Sequence, residues 1–141
     1  MPARKANAVW NGTLKEGNGT VKLGSGAYEG SYSFGSRFED GSGTNPEELL
    51  GAGLAGCYSM ALANRLSSAG FTVNSVDTEA EVHLERGEAG LSISRINLKT
   101  TGSVEGLDAA AFKENADETL KTCIVARALG ATSITVESTL V

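Results

Sequence analysis

Histidine is almost missing from this sequence: His83 is the only one among 141 residues. Around it Ala80, Val82 and Leu84 alternate with Glu79, Glu81 and Glu85, the period of a half-buried strand, which puts His83 on the charged face as a solvated residue. A Cys-His or Ser-His nucleophilic pair therefore lacks its base. The 2 cysteines and this one histidine also cannot fill a four-ligand structural zinc site. No G-x-G-x-x-G follows a strand pattern and no Walker loop ends in Lys-Ser or Lys-Thr, so neither a metal nor a nucleotide cofactor is expected. Positive charge is scarce as well. The 12 Lys and Arg stand against 17 Asp and Glu, for a formal net charge of -5, and they form no stripe to neutralise phosphates, which argues against nucleic acid. No window approaches the roughly 20 apolar residues of a membrane span, and Met1 to Trp10 lacks the apolar core of a signal peptide. A cytoplasmic protein without a membrane partner is expected.

What is present is an ordinary globular composition, 40% hydrophobic and 21% charged, in a chain whose length suits one domain over residues 1–141. Short β-like runs at Asn7–Leu14, Thr20–Leu23 and Ala27–Phe34, separated by glycines, predict an antiparallel meander. The loop Gly41-Ser42-Gly43-Thr44 leads to Asn45 as N-cap, Pro46 at the first helical position and Glu48 completing a capping-box pattern. A helix should run from Pro46 to about Ala69, with Gly70 as its stop. It is apolar or small nearly all round, with no charge between Glu48 and Arg65, so burial on most sides is expected. Gly51, Gly53 and Gly56 each cost such a helix about 1 kcal/mol relative to Ala, and close approach of another backbone is the expected compensation. Strands at Ser75–Glu85 and Leu91–Thr101, a helix at Asp108–Thr122, a short turn or helix at Cys123–Leu129 and a strand at Ser133–Leu140 complete the pattern. The fold class is α+β: antiparallel strands around a long buried central helix. Such a helix asks for more covering surface than one chain of this size supplies, so a homodimer is expected.

Thiol chemistry survives these exclusions, and it needs a thiolate. Burial alone would raise the pKa of Cys57 in the apolar helix, so a reactive Cys57 requires a nearby cation or hydrogen-bond donors. Arg37, in Ser36-Arg37-Phe38-Glu39, is the candidate cation, among Tyr32, Phe34 and Phe38, which could line an apolar pocket. Glu47 lies ten residues before Cys57 on the same helix, about 15 Å of rise, too far to touch the sulfur but able to hold Arg37. The plainer reading of Glu47 is a carboxylate favoured by the helix N-terminus. Cys123, after a candidate N-cap at Thr122, falls in the first turn of a short helix, where the dipole favours a thiolate. For both cysteines the plainer reading is an inert buried residue. Their separation of 66 residues says nothing about contact.

The run Gly43-Thr44-Asn45-Pro46-Glu47-Glu48-Leu49-Leu50-Gly51-Ala52, followed by Ala55-Gly56-Cys57-Tyr58-Ser59-Met60-Ala61-Leu62, resembles the osmotically inducible protein C family. Trp10-Asn11-Gly12, Arg37-Phe38-Glu39, Ala69-Gly70-Phe71 and the late Cys123 extend the likeness across the chain. The resemblance implies an intertwined homodimer with active sites at the subunit interface. It implies a thiol-dependent peroxidase reducing organic hydroperoxides, and hydrogen peroxide less readily, through a disulfide between its two cysteines. By motif position Cys57 becomes the peroxidatic residue, Cys123 the resolving residue, Arg37 the thiolate activator and Glu47 the residue that orients the arginine. The implied reductant is a dithiol, lipoyl-linked in the family. Leu54 stands where many relatives have His, and Ile124 where many have Pro. The competing reading is a non-catalytic small-ligand-binding domain of the same fold, which would have no use for an arginine beside Cys57. A general disulfide oxidoreductase is disfavoured because no Cys-x-x-Cys is present.

Overall fold

A computed structural model describes residues 1–141. The elements are β1 (Ala6–Asn11), β2 (Asn18–Leu23), β3 (Glu29–Tyr32), α1 (Phe34–Phe38), α2 (Pro46–Ser68), β4 (Thr72–Gly87), β5 (Gly90–Glu105), α3 (Ala109–Thr122), α4 (Ile124–Ala128) and β6 (Ser133–Leu140). They fall into two compact units, Met1–Leu49 and Leu50–Val141, with the boundary inside α2. The class is α+β, as the sequence predicts.

In the first unit β1, β2 and β3 pair antiparallel in chain order. β1 stops at Asn11, short of Leu14, because Gly12 turns the chain with a φ of 88°. Trp10 pairs with Gly19, which pairs with Tyr32 on the other side. A Cβ on Gly19 would lie 2.4 Å from the Tyr32 ring and 2.8 Å from that of Trp10. Its absence lets the two rings meet at 5.2 Å between centroids, tilted by 54°.

β3 ends at Tyr32 rather than Phe34, since Ser33 opens α1, a helix the sequence reading leaves out. Ser33 Oγ accepts from Ser36 N at 3.1 Å and Ser36 Oγ accepts from Ser33 N at 2.8 Å, a reciprocal capping box. Ser36 Oγ also donates to the Thr44 carbonyl at 2.7 Å, while Asn45 Nδ2 donates to the Ser36 carbonyl at 3.2 Å. These bonds fasten the 39–45 loop to α1. At the start of α2, Asn45 Oδ1 accepts from Glu48 N at 2.8 Å as expected, but the Glu48 carboxylate accepts from Thr44 Oγ1 instead of closing the second half of a box.

In the second unit α2 buries one stripe. Leu54, Tyr58, Leu62 and Leu66, four residues apart, are all 0% exposed and cluster with Ile96, Leu98, Phe112 and Ala116. Each fully buried Leu is worth roughly 1.5–3 kcal/mol over an exposed one. The opposite face, Ala52, Gly53, Gly56, Met60 and Asn64, is exposed within the chain, so the expected burial on most sides is not met by this chain's own residues. The glycines divide in the same way. Gly51 faces Val82 and Ala80, with the site of its missing Cβ 3.3 Å from Val82 Cγ2, whereas nothing lies within 4 Å of Gly53 or Gly56.

β4 and β5 form a long antiparallel hairpin and β6 joins the free side of β5 in parallel, giving the order β4-β5-β6. This sheet is therefore mixed, not wholly antiparallel, because α3 and α4 cross over and return the chain alongside β5. Both hairpin strands outrun their predicted ends, since pairing continues from Gly87↔Gly90 to Thr72↔Glu105. α3 is capped by Asp108, whose Oδ1 accepts from Ala111 N at 2.8 Å. Its Phe112 lies over Gly102 of β5, where an added Cβ would come within 2.4 Å of the ring. Because Phe112 is 1% exposed and has no room to retreat, Gly102→Ala should cost about 1–3 kcal/mol, read as a lower urea midpoint at unchanged slope.

Candidate functional site

Two side-chain pairs carry the chemistry singled out by the sequence, one in each unit. Arg37 sits in the last turn of α1 and Glu47 in the first turn of α2, and the Ser36, Thr44 and Asn45 bonds hold those turns together. Arg37 Nε lies 3.2 and 3.3 Å from the two Glu47 carboxylate oxygens, and Nη2 lies 2.8 Å from Oε1. This fork is the geometry in which a guanidinium binds a carboxylate most strongly. The Glu47 residue is only 8% exposed, so its charge depends on Arg37 for compensation. Arg37 lies 5.2 Å over the Phe38 ring, and Phe34 and Phe38 pack together at 4.9 Å between centroids. Arg37 lines a cavity of about 420 Å³ with Trp10, Leu14, Tyr32, Phe34 and Phe38. The sequence reading found three of these aromatics; Trp10 escaped it, since only strand pairing brings it to Tyr32, and so did Leu14, in the turn that follows β1.

In the second unit α2 presents Cys57 and the α3–α4 junction presents Cys123. Both are free thiols, with Sγ atoms 3.4 Å apart and the Cys123 thiol donating to Cys57. Cys57 is half-buried and Cys123 is 1% exposed. Thr122 is the last residue of α3, not an N-cap. Cys123 itself is the capping residue between the helices, and its N–H still bonds to the Thr119 carbonyl at 2.8 Å. The expectation that a helix start would favour the Cys123 thiolate is also corrected. Burial pushes the thiol pKa up, the backbone N–H groups of Ala126 and Val125 pull it down, and the neighbouring Cys57 adds to the rise; burial prevails.

Two residues after Cys57, left aside by the sequence reading, fix the helix that carries it. Tyr58 Oη donates to the Ala116 carbonyl of α3 at 2.8 Å. Ser59 Oγ donates to Thr78 Oγ1 at 2.8 Å, itself 2.9 Å from Thr100 Oγ1, which ties α2 to β4 and β5. Burial, then the charges of Asp117 and Cys123, raises the Tyr58 pKa far above its usual range. His83 stands on the polar sheet face as predicted but is not merely solvated: Arg95 Nη2 lies 3.2 Å from Nδ1 and Asn97 Nδ2 lies 3.2 Å from Nε2. That network belongs to the sheet surface, on the strand face that Glu81, Glu85 and Asn97 also occupy.

A family model described as OsmC-like protein matches residues 39–139, which include Glu47 and both cysteines. The chain belongs to this family. It is 44% identical over 129 residues to "Peroxiredoxin OsmC" of Escherichia coli (strain K12), covering 91% of this chain and 90% of that protein. Among solved structures, the OsmC-like protein from Mycoplasma pneumoniae matches with a TM-score of 0.74 at 22% identity, over 99% of this chain and 98% of that one. The organic hydroperoxide resistance protein OhrB of Bacillus subtilis matches with a TM-score of 0.72 at 21% identity, over 97% and 98%. At such identities these two likenesses establish the OsmC-like fold alone.

Cys123 and Tyr58 both hold their protons more tightly in the fold than in the unfolded chain. Above the ordinary thiol value of 9.0 the unfolded chain therefore binds fewer protons than the native one, and stability falls as pH rises. The urea midpoint should drop between about pH 9 and about pH 11, less steeply in Cys123→Ser and, from about pH 10 upward, in Tyr58→Phe. At neutral pH Tyr58→Phe should cost about 1 kcal/mol for the lost hydrogen bond. A wild-type midpoint that stays flat over this pH range contradicts the stated directions.

Proposed function

We propose that this OsmC-like protein is a cysteine-based peroxidase that reduces organic hydroperoxides, and hydrogen peroxide less readily, with Cys57 as the attacking residue and Cys123 as the resolving one. The observation that carries this reading is the pair of free thiols 3.4 Å apart, one half-buried and one buried. The names of the relatives, a peroxiredoxin and an organic hydroperoxide resistance protein, agree with it. The Cys57 thiolate attacks the distal peroxide oxygen, the O–O bond breaks, and the alkoxide leaves with the electron pair to take up a proton. The resulting sulfenic acid condenses with Cys123, releasing water and forming a disulfide. A dithiol, lipoyl-linked by analogy with the family, then reduces that disulfide and restarts the cycle.

Arg37 is the cation offered to the Cys57 thiolate, and Glu47 sets its orientation. The fork engages Nε and Nη2, and the surrounding aromatic cavity suits the organic part of a hydroperoxide. Residues 1–141 act as one peroxidase domain, in the cytoplasm, where dithiol reductants are supplied. No helix is long and apolar enough to cross a membrane. The working unit is an intertwined homodimer. Its support is the exposed α2 face of Gly53, Gly56 and Met60, the last 76% exposed, together with the glycines that leave room for a second backbone.

A stoichiometric dose of cumene hydroperoxide, without other reductant, should lower the mass of the reduced protein by two hydrogen atoms. Cys57→Ser should consume no peroxide, whereas Cys123→Ser should react once and stop at an oxidised Cys57. Arg37→Ala should slow Cys57 oxidation at least about tenfold at neutral pH, with Lys restoring part of the loss. An unchanged wild-type mass favours the small-ligand binder, and full turnover by Cys57→Ser reverses the assignment of the cysteines. For the assembly, Met60→Glu should shift sedimentation from dimer to monomer; a wild-type monomer would remove the dimer from the reading.

A further inference from the structure

The proposed cycle uses the sulfur of Cys123 but leaves its proton without a task. In the reduced protein that thiol points its hydrogen at Cys57 Sγ, 3.4 Å away. A thiolate accepts hydrogen bonds, and a donor to it favours the ionised form over the neutral thiol. The groups that titrate around Cys123 are few. From α2 come Cys57 and Tyr58; the Tyr58 hydroxyl is committed to the Ala116 carbonyl and keeps its proton. From α3, Asp117 acts on Tyr58. From α4 only the Val125 and Ala126 backbone N–H groups reach Cys123 Sγ. Cys57 is thus the partner with which Cys123 shares its proton, in a setting where water barely reaches the donor.

We propose that Cys123 is a catalytic hydrogen-bond donor to the Cys57 thiolate in the reduced protein and gives up its proton only after Cys57 has been oxidised. The second half of this statement rests on the peroxidase reading; the first half does not. During peroxide attack the S–O bond forms and the O–O bond breaks while Cys123 keeps its hydrogen. During resolution the Cys123 sulfur attacks Cys57 sulfur, the S–S bond forms and the S–O bond breaks. The departing hydroxide leaves as water with the Cys123 proton. The order follows from charge. While Cys57 is negative, its charge and its acceptor role hold the Cys123 proton in place. Once Cys57 is a neutral sulfenic acid that restraint is gone, and the N–H groups of Val125 and Ala126 remain to receive the developing Cys123 thiolate.

The test measures alkylation of Cys57 by iodoacetamide as a function of pH, followed by peptide mass, on reduced protein with no peroxide present. The variants are Cys123→Ser, which keeps a donor, and Cys123→Ala and Cys123→Val, which lack one and differ in volume. The Ser variant should titrate close to wild type. The Ala and Val variants should titrate about one pH unit higher, a tenfold slower reaction below both midpoints. A shift shared by Ala and Val tracks the hydrogen bond rather than the cavity left by the sulfur. The proposal is overturned by one midpoint common to all four proteins, by a shift in only one of Ala and Val, or by an equal shift in Ser. Failure of the peroxidase reading would look different: the Ala and Val shifts would be present while cumene hydroperoxide left the wild-type mass unchanged.

Discussion

The packing of one helical stripe governs the thiol chemistry of this protein. Leu54, Tyr58, Leu62 and Leu66 seal α2 against Ile96 and Leu98 of the sheet and against Phe112 and Ala116 of α3. Cys57 lies on the edge of that stripe, one residue before Tyr58, so the rotation of α2 sets where its sulfur points. Hydrophobic burial is strong but non-directional. The Tyr58 bond to Ala116 and the Ser59 bond to Thr78 add direction, fixing α2 from two neighbouring positions at once. A thiol pair at 3.4 Å tolerates little slippage, and this combination of a dry stripe with two polar stops limits it.

At Cys123 two effects compete. Backbone N–H groups at the start of α4 favour the thiolate, while desolvation disfavours it, and desolvation wins. The result is a buried thiol that holds its proton more tightly than a free one. Ionising both thiols would place two negative sulfurs 3.4 Å apart, an arrangement that costs heavily where water is excluded.

Arg37 is built on the opposite principle, polar contacts in a short segment with little apolar burial. A five-residue helix has almost no stability of its own. Ser33 and Ser36 cap it, and Ser36 and Asn45 bond it to the loop that starts α2. The Glu47 carboxylate completes the clamp by taking Nε and Nη2 of the arginine. Since the remaining surroundings are mostly apolar, the guanidinium is presented in a largely aromatic cavity with its orientation settled in advance.

Much of this was readable without coordinates. The Asn45-Pro46 start and the long apolar run gave α2 to within a residue at its end, Asp108 gave the start of α3, and the motifs around Cys57 gave the family. Those signals are local, because caps, proline and periodicity act within a few residues of one another. α1 was missed because its capping box is made by two serines, without the Glu or Gln that usually marks one. The parallel pairing of β6, the meeting of Trp10 with Tyr32 across Gly19, and the Tyr58 and Ser59 bonds were beyond reach for another reason. Each joins residues that strand register and helix rotation bring together, and neither is written in local spacing. The sequence alone determined which residues could do chemistry, since a chain with one histidine and two cysteines leaves few choices. Only the tertiary structure decided that the two thiols touch and that burial outweighs the helix start at Cys123, because distance and desolvation are properties of the packed chain.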